Sequence, residues 1–495
     1  MDLLNSFYAH LALGLTEAVS LSNLWYCFVG VFLGCLVGVL PGLGSLIAIS
    51  LLLPITYHLP ASGALIMLAG VYFGADYGGG TCSILLGVPG HPAAAVDVLD
   101  GYPMTKQGRG GVALFMKCVA SFWGSAVGIV LLMLFAPLLA EAALQFGPAE
   151  YCSLMLLGLL AASTVGQGSP LKGVAMMVVG LIFGIVGTDV NSGSLRFTFD
   201  LPELEDGFGL IPIAMGLFAV AEVVKNAGSA SISAVTQKFG LRDQLPTRED
   251  WRRSFGPMLR GSGLGAFFGA LPGTSGGMAS FLSYAIEGIA GPEACNNAGV
   301  GTAFVPTLTL GIPGDAIMAL MLAALVIQGI QPGPQVMTGH PELFWGLIVS
   351  FWIGNIFLVI LNIPLIGLWV RLLQIPYPML FPGILLFTCI GVYSTHNSVF
   401  DIWSLLGFGL VGCIMLQLRL EPVPLLLGYI LGGPFEEYFR RTLLLSKGDF
   451  SVFIERPISA AALAVAALAW SLWSYLRAAA RKSEAAGPVT DAASS

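Results

Sequence analysis

The sequence predicts an all-α polytopic membrane protein built from two inverted-topology repeats, with broken or re-entrant helices and roughly a dozen transmembrane segments. Three observations lead there. The 495 residues are 56% hydrophobic and 10% charged, whereas a soluble chain carries about 25% charged residues. Apolar stretches long enough to cross about 30 Å of hydrocarbon recur along the whole chain. Short motifs repeat between the two halves at a nearly constant offset, while the charge of the matching loops reverses.

The apolar segments lie near 24–40, 44–75, 111–140, 150–166, 173–189 and 208–224, then 258–290, 297–330, 343–370, 377–393, 401–418, 422–434 and 457–476. Several are too long or too interrupted for one span, so re-entrant pieces are expected. With 64 Gly and 29 Pro, small residues and breakers inside apolar segments imply close helix packing and interrupted helices. This composition excludes an aqueous enzyme and a nucleic-acid binder. No Lys or Arg precedes Lys106, so the N-terminus lacks the positive region of a cleaved secretory signal and is expected to be retained. The eight cysteines are scattered without metal-ligand spacing and read as packing residues.

The expected organisation is a first transmembrane repeat over 1–224, a cytoplasmic basic linker over 225–260, a second transmembrane repeat over 261–456, and a C-terminal helix with a cytoplasmic tail over 457–495. The linker, from Lys225 to Arg260, holds seven of the 21 basic residues. Gly30, Gly34, Gly38 and Gly42 run into Leu40-Pro41-Gly42, and Gly261, Gly265, Gly269 and Gly273 run into Leu271-Pro272-Gly273, at an offset of 231. Leu86-Gly87-Val88-Pro89-Gly90 returns as Leu310-Gly311-Ile312-Pro313-Gly314, and Ser121-Phe122-Trp123 as Ser350-Phe351-Trp352, at 224 and 229.

Basic residues mark cytoplasmic loops. Lys106 and Arg109, with Lys117 close by, follow the first Pro-Gly motif, while the matching Gln331–Glu342 loop has no Lys or Arg. The 141–150 loop carries Glu141 and Glu150, and its counterpart carries Arg371. The halves therefore face opposite ways. Parity then puts Lys172, the linker and the Arg477, Arg481, Lys482 tail inside, and the acidic 189–206 loop outside.

Leu-Pro-Gly at the end of a glycine-rich helix breaks it in mid-membrane, because proline lacks the amide hydrogen and glycine allows any backbone angle. Freed amides and carbonyls survive at that depth in a protein-lined cavity, where they bind ions. Candidate substrate- or cation-binding residues are thus Gly42, Gly44 and Ser45 at the first tip and Gly273, Thr274 and Ser275 at the second. The Pro-Gly motifs add Asp76, Gly79, Thr81, Ser83 and Gly90 in one half and Thr307, Thr309, Gly314 and Asp315 in the other. A structural reading stands beside each: the ladders as packing stripes, the prolines as kinks, and Asp315 as the N-cap of a helix over 316–327. His91 is a further polar lining residue. Asn296 and Asn297 are either amide ligands or loop residues.

Na⁺ is the coupling ion this inventory favours, through Ser45, Thr81, Ser275 and Thr309, because hydroxyls and glycine carbonyls suit a hard cation. H⁺ is the alternative, with Asp76 and His91 as its carriers. Neither a phosphate loop nor a zinc signature occurs, so no cofactor beyond the coupling ion is expected. Gly273-Thr274-Ser275-Gly276-Gly277 matches the nucleophile-elbow pattern G-x-S-x-G, which requires a strand-to-helix turn. An intramembrane hydrolase using Ser275 is accordingly a remote alternative, and a channel-like carboxylate permease a nearer one.

At these motifs the sequence resembles the large membrane subunit of the tripartite tricarboxylate transporter family (TctA-type). The resemblance runs from about 20 to 475. It is carried by Gly38-Val39-Leu40-Pro41-Gly42-Leu43-Gly44, Gly87-Val88-Pro89-Gly90, Gly311 to Leu320, Gln331-Pro332-Gly333-Pro334, and the stretch through Glu436-Glu437 and Arg440-Arg441. It implies a cation-coupled symporter for citrate-like or other organic carboxylates in the bacterial inner membrane. The implied partners are a small membrane subunit, a periplasmic solute-binding protein, the carboxylate and the lipid bilayer, with no nucleic acid. No Lys or Arg lies between Arg260 and Arg371, so a polyanion is expected to be held by helix ends, hydroxyls and co-bound cations.

Overall fold

The long apolar stretches are mostly helical over their described residues in the computed structural model, which describes residues 2–40, 44–87, 89–143, 145–164, 170–189, 192–226, 244–271, 276–287, 290–372, 377–468 and 471. The first half comprises α1 (Asp2–Ala18), α2 (Leu21–Val39), α3 (Gly44–Thr56), α4 (Ala61–Leu86), α5 (Ala95–Lys106), α6 (Gly110–Ala143), α7 (Pro148–Thr164) and α8 (Pro170–Gly184). A small antiparallel pair follows, β1 (Gly187–Thr188) with β2 (Leu195–Arg196). Then come α9 (Leu210–Ala214), a π-helical stretch Met215–Val220, and α10 (Ala221–Asn226). The second half comprises α11 (Arg248–Gly269), α12 (Gly276–Glu287), α13 (Ala290–Leu310), α14 (Ala316–Ile327), α15 (Gln335–Gly339), α16 (Pro341–Asn362), α17 (Ile366–Leu372), α18 (Tyr377–His396), α19 (Val399–Gln417), α20 (Pro422–Leu445) and α21 (Val452–Glu455). Helix α11 begins inside the stretch read as linker, and residues 227–243 of that stretch lie outside the described residues.

Among the described residues, α2, α6, α16 and α19 are long and apolar enough to cross a membrane, and Pro457–Leu468 is among the shorter apolar helices. Apart from the small hairpin, the described residues are those of an all-α membrane protein. Helices α4 and α13 sit at its centre: Gly63–Leu85 and Ala290–Thr309 are buried throughout. Enclosure by protein rather than lipid is what lets these two helices carry polar residues.

The glycine ladders pack these central helices. A four-residue spacing puts the glycines on one face, and there Gly30, Gly34 and Gly38 of α2 meet the backbone of Met67, Val71 and Ala75 in α4. In the same way Gly261, Gly265 and Gly269 of α11 meet Gly291, Cys295 and Gly299 in α13. Each central helix is also held from the other half. Gly124 and Gly128 of α6 lie on Ala294 and Ala298 of α13. On the other side, the ring of Phe351 of α16 lies, tilted, 5.3 Å from that of Phe73 of α4 and 4.6 Å from that of Phe304 of α13. Further out, α20 packs on α7 and α8, and α19 on the π-helical stretch.

Helices break where the Pro-Gly motifs place the breaks. Helix α2 stops at Val39, and α3 restarts at Gly44 with φ of +60°. Helix α11 stops at Gly269, and α12 starts at Gly276. Pro60 divides the 44–75 segment into α3 and α4. Gly87 and Gly311, which follow α4 and α13 at equivalent positions of the repeated motif, are both left-handed, with φ of +69° and +70°. A side chain would be strained there, so glycine is required for the same turn in both halves.

Polar ties join the helix ends. Arg109 pairs with Asp250 at 2.9 Å, and Lys172 donates to the Leu418 carbonyl at 2.7 Å. Glu150 pairs with Arg456 at 3.1 Å. Arg196 binds Asp189 and, at 2.9 Å, Glu436, which Arg440 meets at 2.6 Å.

Candidate functional site

The polar residues of α4 and α13 face one another at the centre of the bundle. Asn296 donates its amide to Asp76 Oδ2, and His91 Nε2 stands 3.5 Å from Asp76 Oδ1. Four residues earlier on α4, one turn away, the Tyr72 hydroxyl donates to Asp315 Oδ2 at 2.7 Å. Two hydrogen bonds thus tie one helix of the first half to two elements of the second.

Around them lies a wider ionisable cluster. Lys117 of α6, 2% exposed, donates to the Tyr77 carbonyl and has its ammonium 5.5 Å from the centre of the Tyr77 ring. Glu293 Oε2 accepts from Ser121 Oγ at 2.8 Å and from Asn297 Nδ2 at 3.2 Å. Asp97 of α5 lies within hydrogen-bonding range of the Glu293 carboxyl. The Gly78-Gly79-Gly80 run makes room for this. A Cβ at Gly80 would stand 2.8 Å from Lys117 Nζ and would collide with Glu293 Oε1, and one at Gly79 would strike the His91 ring. A small cleft is lined in part by Tyr77, Thr81, Lys117 and Asn362.

The structure places the sequence-derived candidates unevenly. Asp76, Gly79 and His91 belong to the cluster, and Gly90 packs directly on Gly79. At the first tip, a Cβ on Gly44 would come 3.8 Å from the Gly90 carbonyl oxygen. Ser45, 5% exposed, lies in the first turn of α3. Gly42, Gly273, Thr274 and Ser275 lie outside the described residues. Thr81, Ser83, Thr307 and Thr309 donate to carbonyls four residues back on their own helices, those of Tyr77, Gly79, Ala303 and Val305. Ser83 Oγ also accepts from the Gly90 amide at 3.4 Å. Gly314 abuts Ala303 and the Gly269 carbonyl; in the 224-residue register its contact with Ala303 matches that of Gly90 with Gly79. Asp315 caps α14, accepting from the Met318 amide at 2.8 Å, so it serves as an N-cap and as the Tyr72 partner together.

Five residues depart from the sequence reading. Lys117, grouped above with the cytoplasmic loop, is buried in α6, so the site does possess a basic side chain. Asn296 and Asn297 are in mid-helix, 6% and 0% exposed, and not in a loop. Asp97 and Glu293 were not singled out, although each is an acid flanked by apolar and small residues, the signal that marked Asp76. Among the described residues no three His, Cys, Asp or Glu side chains group as a metal site. Chemically, the cluster can hold a proton or small cation between carboxyl groups and present one ammonium to an anion.

A polytopic helical bundle with ionisable groups enclosed at its centre defines a membrane transport protein. Residues 24–427 match the tripartite tricarboxylate transporter TctA family, and the chain belongs to it: it is a component of a tripartite transporter and not an enzyme. It is 47% identical over 481 residues to an uncharacterized 52.8 kDa protein in the TAR-I ttuC' 3' region of Agrobacterium vitis, covering 94% of this chain and 95% of that protein. It is 49% identical over 215 residues to an uncharacterized protein in the TAR-II ttuC' 3' region of the same organism, covering 40% of this chain and 89% of that one. No solved structure matches it.

Proposed function

We propose that this chain is the large membrane subunit of a binding-protein-dependent transporter in the bacterial inner membrane, and that it takes up tricarboxylates or related organic carboxylates by coupling to a cation, Na⁺ or H⁺. Its partners on this reading are a small membrane subunit and a periplasmic solute-binding protein. The observation that carries it is the central cluster: Lys117 offers a counter-charge to a carboxylate, and three acids beside it offer a place for a cation. A substrate with several negative charges needs both in a medium of low dielectric constant.

The inverted arrangement belongs to the same proposal. Arg109 with Asp250 joins two ends that charge parity assigns to the cytoplasm, and Lys172, assigned there too, holds Leu418, the neighbour of Arg419. Glu150 and the 189–206 loop, which charge parity places outside, hold Arg456 and the Glu436–Arg440 pair on the same side. These contacts support two halves of opposite orientation that exchange helices around a shared centre. Single cysteines introduced near Lys106 should react with impermeant reagents only from the cytoplasmic side, and those near Gln335 only from outside. Labelling of both from one side would reject the inversion.

The functional test is uptake by the complete transporter in proteoliposomes, with a panel of radiolabelled di- and tricarboxylates and with Na⁺ and H⁺ gradients imposed separately. Accumulation above the external concentration, abolished when the gradient is collapsed, is expected. Flux that only ever runs downhill would replace the symporter by a channel.

A further inference from the structure

Asp97 and Glu293 form a contact across the two halves that the transport reading does not yet use. Asp97, in the first turn of α5, is 1% exposed, and among the described residues no N–H or O–H donates to either of its carboxyl oxygens. What lies within its hydrogen-bonding range is another acid, Glu293 of α13. Glu293 is 4% exposed, and the donors it has, Ser121 and Asn297, both go to Oε2. The amide oxygen of Asn297 is also buried without a donor. Two carboxylates in contact at membrane depth cannot both be ionised with nothing between them.

The surroundings do not supply that missing positive charge. Facing the pair are Asp76 and Tyr77 from α4 and Lys117 and Cys118 from α6, with His91 behind Asp76. Lys117 spends a hydrogen on the Tyr77 carbonyl, and its single charge acts on both Asp76 and Asp97. Because a net negative charge enclosed in hydrocarbon is very costly, at least one cation must reside in the cluster. A proton needs no coordination shell. Two carboxyl groups within hydrogen-bonding range of each other form an arrangement that one shared proton satisfies.

We propose that Asp97 and Glu293 hold one proton between them and that this proton is the coupling ion of the transporter. The proposal rests on the symport reading and names its ion and site. One proton is taken from the outer aqueous phase onto the pair, kept as an O–H of one carboxyl shared with the other, and given up to the cytoplasmic phase, so that one positive charge crosses with the substrate in each cycle. Since the pair straddles the halves, any movement that parts α5 from α13 solvates each carboxyl separately and releases the proton. Coupling follows from the contact itself.

The test uses the complete transporter in proteoliposomes with an internal pH-sensitive dye and whichever carboxylate of the panel accumulates. In the wild type, uptake should acidify the interior and be driven by an inward proton gradient with Na⁺ absent. Asp97→Asn and Glu293→Gln should each lose both acidification and accumulation while keeping exchange of internal for external labelled substrate, which requires no net proton movement and reports a folded protein. Uptake that follows a Na⁺ gradient without acidification would overturn the proton assignment and leave the transport reading intact. So would acidification retained in both variants. Loss of exchange in both, at wild-type membrane abundance, would make the pair structural and overturn it as well. Failure of the wild type to accumulate any carboxylate under either gradient would reject the transport reading and this inference together.

Discussion

Lys117→Met is expected to abolish concentrative carboxylate uptake while the protein remains in the membrane at wild-type abundance. Methionine keeps the length and apolar stem of lysine, so the contacts along α4 survive and only the charge goes. That charge is the basic group of the enclosed cluster, on a residue that is 2% exposed and helps to line a small cleft with Tyr77, Thr81 and Asn362. A hydrogen bond to a charged partner contributes about 1.5–3 kcal/mol, which corresponds to a roughly ten- to hundredfold loss of apparent affinity. Loss of balance against Asp76, Asp97 and Glu293 adds to this. Lys117→Arg should also fail, because a planar guanidinium needs width that the close approach of Gly80 does not leave. Radiolabelled uptake across substrate concentrations, normalised to protein in the membrane, decides the matter. Uptake by Lys117→Met equal to the wild type would remove this residue from any role in substrate or charge balance.

The second large effect concerns folding. Gly265→Leu should leave little folded protein, and Gly263→Leu should be tolerated, although both lie on α11 and add the same side chain. At Gly265 a Cβ would come 2.6 Å from the Cys295 carbonyl carbon, whereas at Gly263 nothing stands within 4 Å. Overpacking against side chains that can shift costs about 1–3 kcal/mol. Backbone of a helix held on both faces cannot shift that way, so the cost at Gly265 lies at or beyond the upper end of that range. A protein stable by about 5–15 kcal/mol loses much of its margin, and displacement of α13 also carries Glu293 and Asn296 away from their partners. Thermal stability of the detergent-solubilised variants, followed by monodisperse elution after heating, measures the difference. Equal midpoints would show that the ladder is not the contact between α11 and α13.

What was legible in the sequence is whatever depends on residues close together along the chain. The apolar segment at 24–40 becomes α2 (Leu21–Val39), and the one at 111–140 becomes α6 (Gly110–Ala143). The Pro-Gly motifs end helices, and glycines four apart line one face, because helix periodicity and the missing amide of proline are local properties. Asp315 was readable as a cap for the same reason, its partner being the Met318 amide three residues on. The repeated motifs were legible through their offsets, and they pointed to the two enclosed helices, each packed by a glycine stripe.

The site was legible only in part. Asp76 stood out as an acid in an apolar run, but Lys117 was grouped with Lys106 and Arg109 because it lies so near them in sequence. Helix α6 starts at Gly110, and at 1.5 Å per residue the lysine lies roughly 10 Å further along the axis, where its neighbours are protein. A basic residue means loop or site according to what surrounds it, and sequence distance does not report that. The same limit hid Asp97 and Glu293, whose significance is their contact with each other, across nearly 200 residues of chain. Chain chemistry by itself determined the helices, their breaks, the ladders and the membrane class, since each follows from local geometry and from the cost of charge in hydrocarbon. Only the tertiary structure decided which buried charges meet, because that depends on which helix of one half lies against which helix of the other.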